Sequence, residues 1–212
     1  AGSTSFGIGN VIQKHQVSYA PSTFYVYQQV YDNNGNPIQN AVVDRDGNGE
    51  ITESDKYLTG KSPMAKVFMG FSSQFTYKNW DLGFNMRANF GNYIFNGFAA
   101  DNTSLNNFAN QGFATNYYKD AGKYGFTQIS DIIQKSTDLY LENASFLKMD
   151  NITLGYSFNK FFTSRISGRI SASVQNVFTI TKYTGLDPEC DAIDSNVWPR
   201  PRSFTIGLNL NF

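Results

Sequence analysis

The chain of 212 residues is poor in the residues from which most active sites are built. It has one histidine, His15, and one cysteine, Cys190. A single cysteine excludes an intrachain disulfide and a cysteine metal cluster. A lone histidine is most often structural or exposed. Charged residues make up only 16% of the chain, and their signs cancel to a formal net charge of +0. There is no basic field to draw nucleic acid and no acidic block to act as a solvating tail. No apolar run reaches the ~20 residues that a membrane helix needs. No useful stretch repeats its apolar residues with a helical period, and neither a nucleophile elbow nor a phosphate-binding Gly-Lys-Ser/Thr loop occurs. An enzyme is therefore not expected. The chain starts at Ala1 with no initiating Met and no signal peptide, and we expect it to be a piece of something longer.

What is present is aromatic. Nineteen Phe and thirteen Tyr stand in a chain whose mean hydropathy is −0.38. Strict alternation of greasy and polar residues produces that combination, and it is plainest in Ser203 to Phe212. Phe204, Ile206, Leu208, Leu210 and Phe212 fall on one face of a strand; Ser203, Thr205, Gly207, Asn209 and Asn211 fall on the other. Such a ribbon suits a soluble sandwich, or a barrel with lipid outside and water inside. An aromatic at the carboxyl end favours the barrel, where Phe212 would anchor the last strand at the membrane interface and serve as a membrane-assembly signal.

The same pattern recurs upstream. Thr23 to Tyr31 reads as a strand. Val67, Met69, Phe71, Phe75 and Tyr77 share a face in 65–78, as do Trp80, Leu82, Phe84, Met86, Ala88 and Phe90 in 79–91. The link near Lys78-Asn79 has hairpin spacing, with Tyr77 and Trp80 placed for an interfacial girdle. Ile152, Leu154, Tyr156 and Phe158 align in 146–158, and Ile170, Ala172, Val174, Phe178 and Ile180 in 169–181. The connections alternate in length. Turns near 78 and 160 are short, while 32–64, 92–145 and 182–202 are long, and the last holds Pro188, Pro199 and Pro201. A barrel would gather the short turns on a periplasmic rim and the long loops outside the cell.

One loop has ligand chemistry. Asp44 to Asp55 reads DRDGNGEITESD. Asp44, Asp46 and Asn48 occupy positions one, three and five of a calcium loop, Gly49 the sharp turn, Glu50 the carbonyl position and Asp55 the last. Asp55 is shorter than the usual Glu and the flanks lack a helix pair, so a structural calcium and a bare Asp/Asn/Gly turn both remain open. Among loop aromatics, Phe98, Phe108, Tyr117, Tyr183 and Trp198 are candidates to bind ligand or partner, although packing between loops is the commoner use of such residues.

In order along the chain, DRDGNGEI, FTYKNWDLGFNMRANFGNYIFN, ASFLKMDNITLGYSF, VQNVFTITKYTGLDPE and WPRPRSFTIGLNLNF resemble the carboxyl-terminal part of the SusC/RagA family of TonB-dependent transporters. The resemblance covers roughly residues 20–212. It implies an all-β fold: residues 1–212 would supply the last strands of an antiparallel transmembrane barrel of about 22 strands, with long extracellular loops. The amino-terminal plug, the TonB box and the remaining strands have no counterpart here. It further implies import of glycans or peptides across the outer membrane of a Bacteroidetes-like bacterium. Its partners would be a SusD-like surface lipoprotein, TonB through the plug, the rest of the transporter chain and outer-membrane lipid. The reading weighed against it is a calcium-dependent soluble carbohydrate-binding sandwich, which explains alternation and loop but not the one-sided long connections.

Overall fold

The computed structural model describes residues 3–5, 11–105, 118–127, 132–161, 166–195 and 198–211. The chain divides into two compact units, where the sequence reading treats 1–212 as one barrel part with loops. The first unit is formed by 1–65, 91–144 and 183–198, the second by 66–90, 145–182 and 199–212.

The first unit is built from residues 1–31, where the sequence predicts one strand, and from most of what it predicts to be long loops. It carries β1 (Ser3–Ser5), β2 (Val11–Lys14), β3 (Thr23–Val26), β4 (Gln29–Tyr31), β5 (Pro37–Val42) and β6 (Tyr57–Leu58). Further along the chain it adds β9 (Tyr93–Phe95), β10 (Leu141–Asn143) and short helices at Gly97–Asn102 and Ile132–Lys135. Strands β1-β2-β3-β6 form one small sheet, and β4-β5 and β9-β10 are separate pairs. The expected strand Thr23–Tyr31 is broken in two. Tyr27 bridges to Thr137, and beyond it the buried Gln29 donates to the carbonyls of Val30, Ile38 and Ala41 and accepts from Gln134. A fully satisfied amide of this kind is the condition for burying one. Ile12, Phe24, Val26, Phe95, Ala99, Ala100, Tyr140 and Leu141 form the core. The helix at 97–102 starts where the Asn96 side chain accepts from the Ala99 N–H at 2.9 Å, an N-cap that satisfies one orphan donor.

The second unit is an antiparallel sheet in the order β13-β12-β11-β8-β7. Its strands are β7 (Val67–Tyr77), β8 (Trp80–Phe90), β11 (Phe146–Phe161), β12 (Ile166–Thr181) and β13 (Ser203–Asn211). Tyr77 pairs with Trp80, so Lys78-Asn79 is a two-residue hairpin. Lys78 there has a φ of 52°, the left-handed conformation that primed turns use. Register sorts the side chains cleanly. Phe75, Leu82, Leu154, Ala172 and Ile206 make one transverse row on the apolar face; Tyr77, Trp80, Tyr156, Ile170 and Leu208 make the row nearest the hairpin. The Trp80 and Tyr156 rings lie 4.7 Å apart between centroids. The opposite face carries the row Ser72, Asn85, Asn151, Gln175 and Ser203, hydrogen-bonded from Ser72 to Asn85 and from Asn85 to Asn151.

The register of β11 against β12 shifts at two heights, between Phe158 and Phe161 and again at Asp150, where β8 is affected too. Asp150 is an extra residue of β11 against β8, and Asn176-Val177 are two residues of β12 opposite that one. The bulge moves Leu147 and Met149 onto the same face as Ile152, although their numbers have the other parity. Arg87 grips the bulged Asp150 with two nitrogens, at 2.6 and 2.9 Å. Lower on the polar face Arg169 of β12 reaches Asp81 of β8 at 2.5 and 3.0 Å, passing over β11. The residue beneath that pair is Gly155, where a Cβ would collide with both the guanidinium and the carboxylate.

The apolar face decides between barrel wall and soluble sandwich. Phe204 is 74% and Ile206 83% exposed, so the apolar face of the last strand is open. A sandwich buries this face; a membrane barrel presents it to lipid. Chain segments enter or leave the sheet toward the long connections at the end holding Val67, Phe90, Phe146 and Thr181, away from the 78–79 hairpin. The link of β11 to β12 through 162–165 lies outside the described residues, as does Phe212.

Candidate functional site

The calcium-type loop follows β5 and closes on a short 3-10 helix at Glu53–Asp55. Thr52 caps that helix, and Asp55 returns the bond by accepting from the Thr52 N–H at 2.8 Å, a capping box. The other Asp55 oxygen accepts from the N–H groups of Arg45 at 2.8 Å and Asp46 at 3.4 Å. Asp55 is 0% exposed and ties the first residues of the loop to the last. At the loop's start, Asp44 accepts from Gly47 at 2.7 Å and Gly49 at 2.8 Å. Asp46 accepts from the Asn48 N–H at 3.1 Å, and Asn48 Oδ1 from Glu50 at 2.7 Å. Gly47 and Gly49 have φ of 72° and 84°, a conformation that costs glycine nothing.

These bonds hold the Asp55 carboxyl below its ordinary value, the Thr52 N–H contributing most and burial opposing it. The sign follows from linkage: the loop's stabilisation by ionised Asp55 is complete above the free-carboxylate range. It is lost as pH falls through the lowered value.

Asp44, Asp46 and Asp55 bring carboxylate oxygens within 4.8 Å of one another. Oxygens at about 2.3–2.6 Å from one calcium can stand up to about 4.6–5.2 Å apart across the ion, a span that this spacing fits. Among the described residues no Lys or Arg forms an ion pair with the three. Arg45 donates to Gln28 and lies over the Tyr57 ring. Lys56, buried between Tyr25 and Tyr27, donates to the Val11 carbonyl and to Glu53. Burial moves the Lys56 ammonium down from its ordinary value, against the pull of Glu53. The donor set, three carboxylates with an amide oxygen and a carbonyl, fits a hard cation.

The aromatic candidates are placed differently from one another. Tyr183 is buried at 6% exposure, and its hydroxyl donates to Asp194 at 2.8 Å, so it offers no open face. Burial and then Asp194 raise its pKa. Phe98 is half-buried and meets Tyr118 edge-on at 5.4 Å. Trp198 is 84% exposed. Phe108 and Tyr117 lie outside the described residues. Cys190 is half-buried, and burial with Asp194 pushes its thiol up to about 12, so it stays protonated and is no nucleophile. Sequence reasoning missed Lys56 and Asp194, which nothing but a three-dimensional arrangement distinguishes from other charged loop residues.

The TonB-dependent receptor SusC of Bacteroides thetaiotaomicron is 43% identical to this chain over 216 residues, matching 98% of the chain and 21% of that protein. The chain belongs to the SusC/RagA family. A second relative, the TonB-dependent receptor P3 of Formosa agariphila, is 29% identical over 80% of the chain and 18% of its own length. The chain thus spans about a fifth of the length of these relatives. No family model matches it. Two solved structures share the fold. One, of the RagAB peptide transporter, has a TM-score of 0.63 and 23% identity, covering 91% of this chain and 23% of that one. The other, of the RagAB peptide importer in the open-open state, has a TM-score of 0.64 and 19% identity, covering 99% and 25%. The family fold makes the two-faced sheet an antiparallel piece of an outer-membrane barrel wall, and the relatives are receptors, not enzymes.

Proposed function

We propose that the chain supplies wall strands and outward-facing loops to a SusC-type transporter that imports glycans or peptides across the outer membrane with energy from TonB. The observation that carries this reading is the sheet. Its apolar face is continuous across five strands, its polar face is internally hydrogen-bonded, and its long connections depart from one end. The 43% identity to SusC supports it. The partner would be a SusD-like surface lipoprotein seated on the long-connection side, with Phe98, Phe108, Tyr117 and Trp198 as candidate anchors, since aromatics dominate interface energetics. Affinity purification of the full-length transporter from outer membranes should recover one such lipoprotein in stoichiometric amount. A transporter recovered from intact membranes without it would remove the partner from the proposal. Recovery of the protein in the soluble fraction would remove the transporter itself.

The loop Asp44–Asp55 is assigned a structural calcium, held by Asp44, Asp46, Asn48, Glu50 and Asp55 outside the membrane. Its task would be to stiffen the first unit for substrate or partner, not to catalyse. Asp44→Ala or Asp46→Ala should abolish calcium retention measured by elemental analysis after gel filtration, because each removes an anionic ligand of a hard ion. Equal metal content in wild type and both variants would leave the loop a bare turn.

A further inference from the structure

The chain contains three Asn-Gly pairs, at Asn34, Asn48 and Asn96. In such a pair the glycine nitrogen can attack the asparagine carboxamide carbon, because glycine carries no side chain to hinder the approach. The three surroundings differ. Asn96 is 1% exposed; its Oδ1 accepts from Ala99 and its Nδ2 donates to Glu142, both at 2.9 Å. That side chain is locked as a helix cap. Asn34 is exposed, and the Gly35 N–H donates to the Asp32 backbone carbonyl at 3.0 Å; the Asp32 carboxylate stands near that N–H as well, but it is engaged chiefly by the N–H groups of Asn34 at 2.9 Å and Asn36 at 2.7 Å, with Gly35 the weakest of its donors. Asn48 is exposed as well, and there the Gly49 N–H donates to a carboxylate, Asp44 Oδ2, at 2.8 Å. Asn48 Oδ1 accepts from the Glu50 N–H at 2.7 Å, the kind of donor that stabilises negative charge building on an oxygen. Asn48 Nδ2 donates to Asp46 Oδ2 at 3.1 Å. A base, an oxyanion donor and an unhindered nucleophile therefore meet on one exposed turn.

We propose that Asn48 is a self-deamidating site. Asp44 takes the proton of the Gly49 N–H as that nitrogen bonds to the Asn48 Cγ. The Glu50 N–H holds the oxyanion that forms. The tetrahedral carbon collapses with rupture of the Cγ–Nδ2 bond, and the nitrogen leaves as ammonia with the proton Asp44 had taken. One water then opens the cyclic imide to aspartate or isoaspartate. The net change is amide and water to carboxylate and ammonia, with no enzyme and no oxidant. The aspartate product places a fourth carboxylate beside Asp44, Asp46 and Asp55; the isoaspartate product lengthens the loop backbone by one methylene. Either one alters the loop's ligand set with the age of the molecule.

The test is peptide mapping of the full-length protein in detergent, aged in mildly alkaline buffer with EDTA so that no cation intervenes. Conversion at Asn48 should outrun that at Asn34 by at least ~10-fold, a modest share of what a positioned base supplies, and Asn96 should stay intact. Asp44→Asn should bring Asn48 down to the rate of Asn34 while Asn34 keeps its own. Asn48 converting no faster than Asn34, or at an unchanged rate in Asp44→Asn, would overturn the proposal. Reaction at Asn96 in the variant would report lost folding, and the wild-type ranking of the three sites then decides alone.

Discussion

Arginine at Ile206 is expected to cost the folded transporter about 2–4 kcal/mol, the depth-dependent penalty for a cation on the lipid face near the bilayer midplane. Ile206 is 83% exposed and lies in the row with Phe75, Leu82, Leu154 and Ala172. Arginine at Leu208 should cost less. Leu208 shares its row with Tyr77, Trp80 and Tyr156, aromatics of an interfacial girdle, where the penalty falls to about 0–1 kcal/mol. The control on the polar face is Thr205→Arg, opposite Ser173. Asn209 would be a poor control, because it faces Arg169 and like charges directly opposed destabilise. Urea titration of the full-length protein in lipid vesicles measures all three. Equal tolerance at Ile206 and Thr205 would show that the exposed face does not meet lipid.

Phe95→Ala should be as damaging to the first unit. Phe95 is 0% exposed, belongs to the core with Phe24 and Ala100, and meets the Tyr140 ring edge-on at 6.3 Å. Truncating a fully buried Phe typically costs about 3–5 kcal/mol through lost burial and the cavity left behind. The Tyr140 hydroxyl also holds Thr103 at 2.9 Å, so loosening this ring pair reaches the end of the 97–102 helix. Limited proteolysis should then cut within 91–105 at protease levels that leave wild type whole. Phe68→Ala, at an 81% exposed position, should change little. Resistance of Phe95→Ala equal to wild type would mean that this cluster does not hold the unit together.

The sheet was legible because register on a two-faced strand is a parity rule. Once Trp80, Leu82 and Phe84 share a face, their partners Tyr156, Leu154 and Ile152 are constrained to share it too. The first unit was not legible, and the reason is length. Its strands run two to six residues, too few for any period to emerge from 32–64 or 92–145. What holds them is contact across the chain: Gln29 with Gln134, Tyr57 with Asp138, Tyr183 with Asp194. Asp44, Asp46 and Asp55 stand together because a twelve-residue loop is local, and spacing can reach that far. It could not tell that Asp55 would be buried as the knot of the loop. Nor could it separate Tyr183, spent inside, from Trp198, left outside.

The step at Asp150 has a geometric consequence for the wall. Counting from β8 through β11 to β12, each strand has gained one residue more than its neighbour by the time it passes this height. In a crystal lattice the same defect would be called a dislocation. One residue of a strand is about 3.3 Å of rise, so the stagger between neighbours above the line differs from that below by that amount. Stagger and strand inclination are linked in a curved sheet. The stagger of β8, β11 and β12 therefore steps between Asn151 and Met149, and Arg87 rivets the seam at Asp150 where it steps.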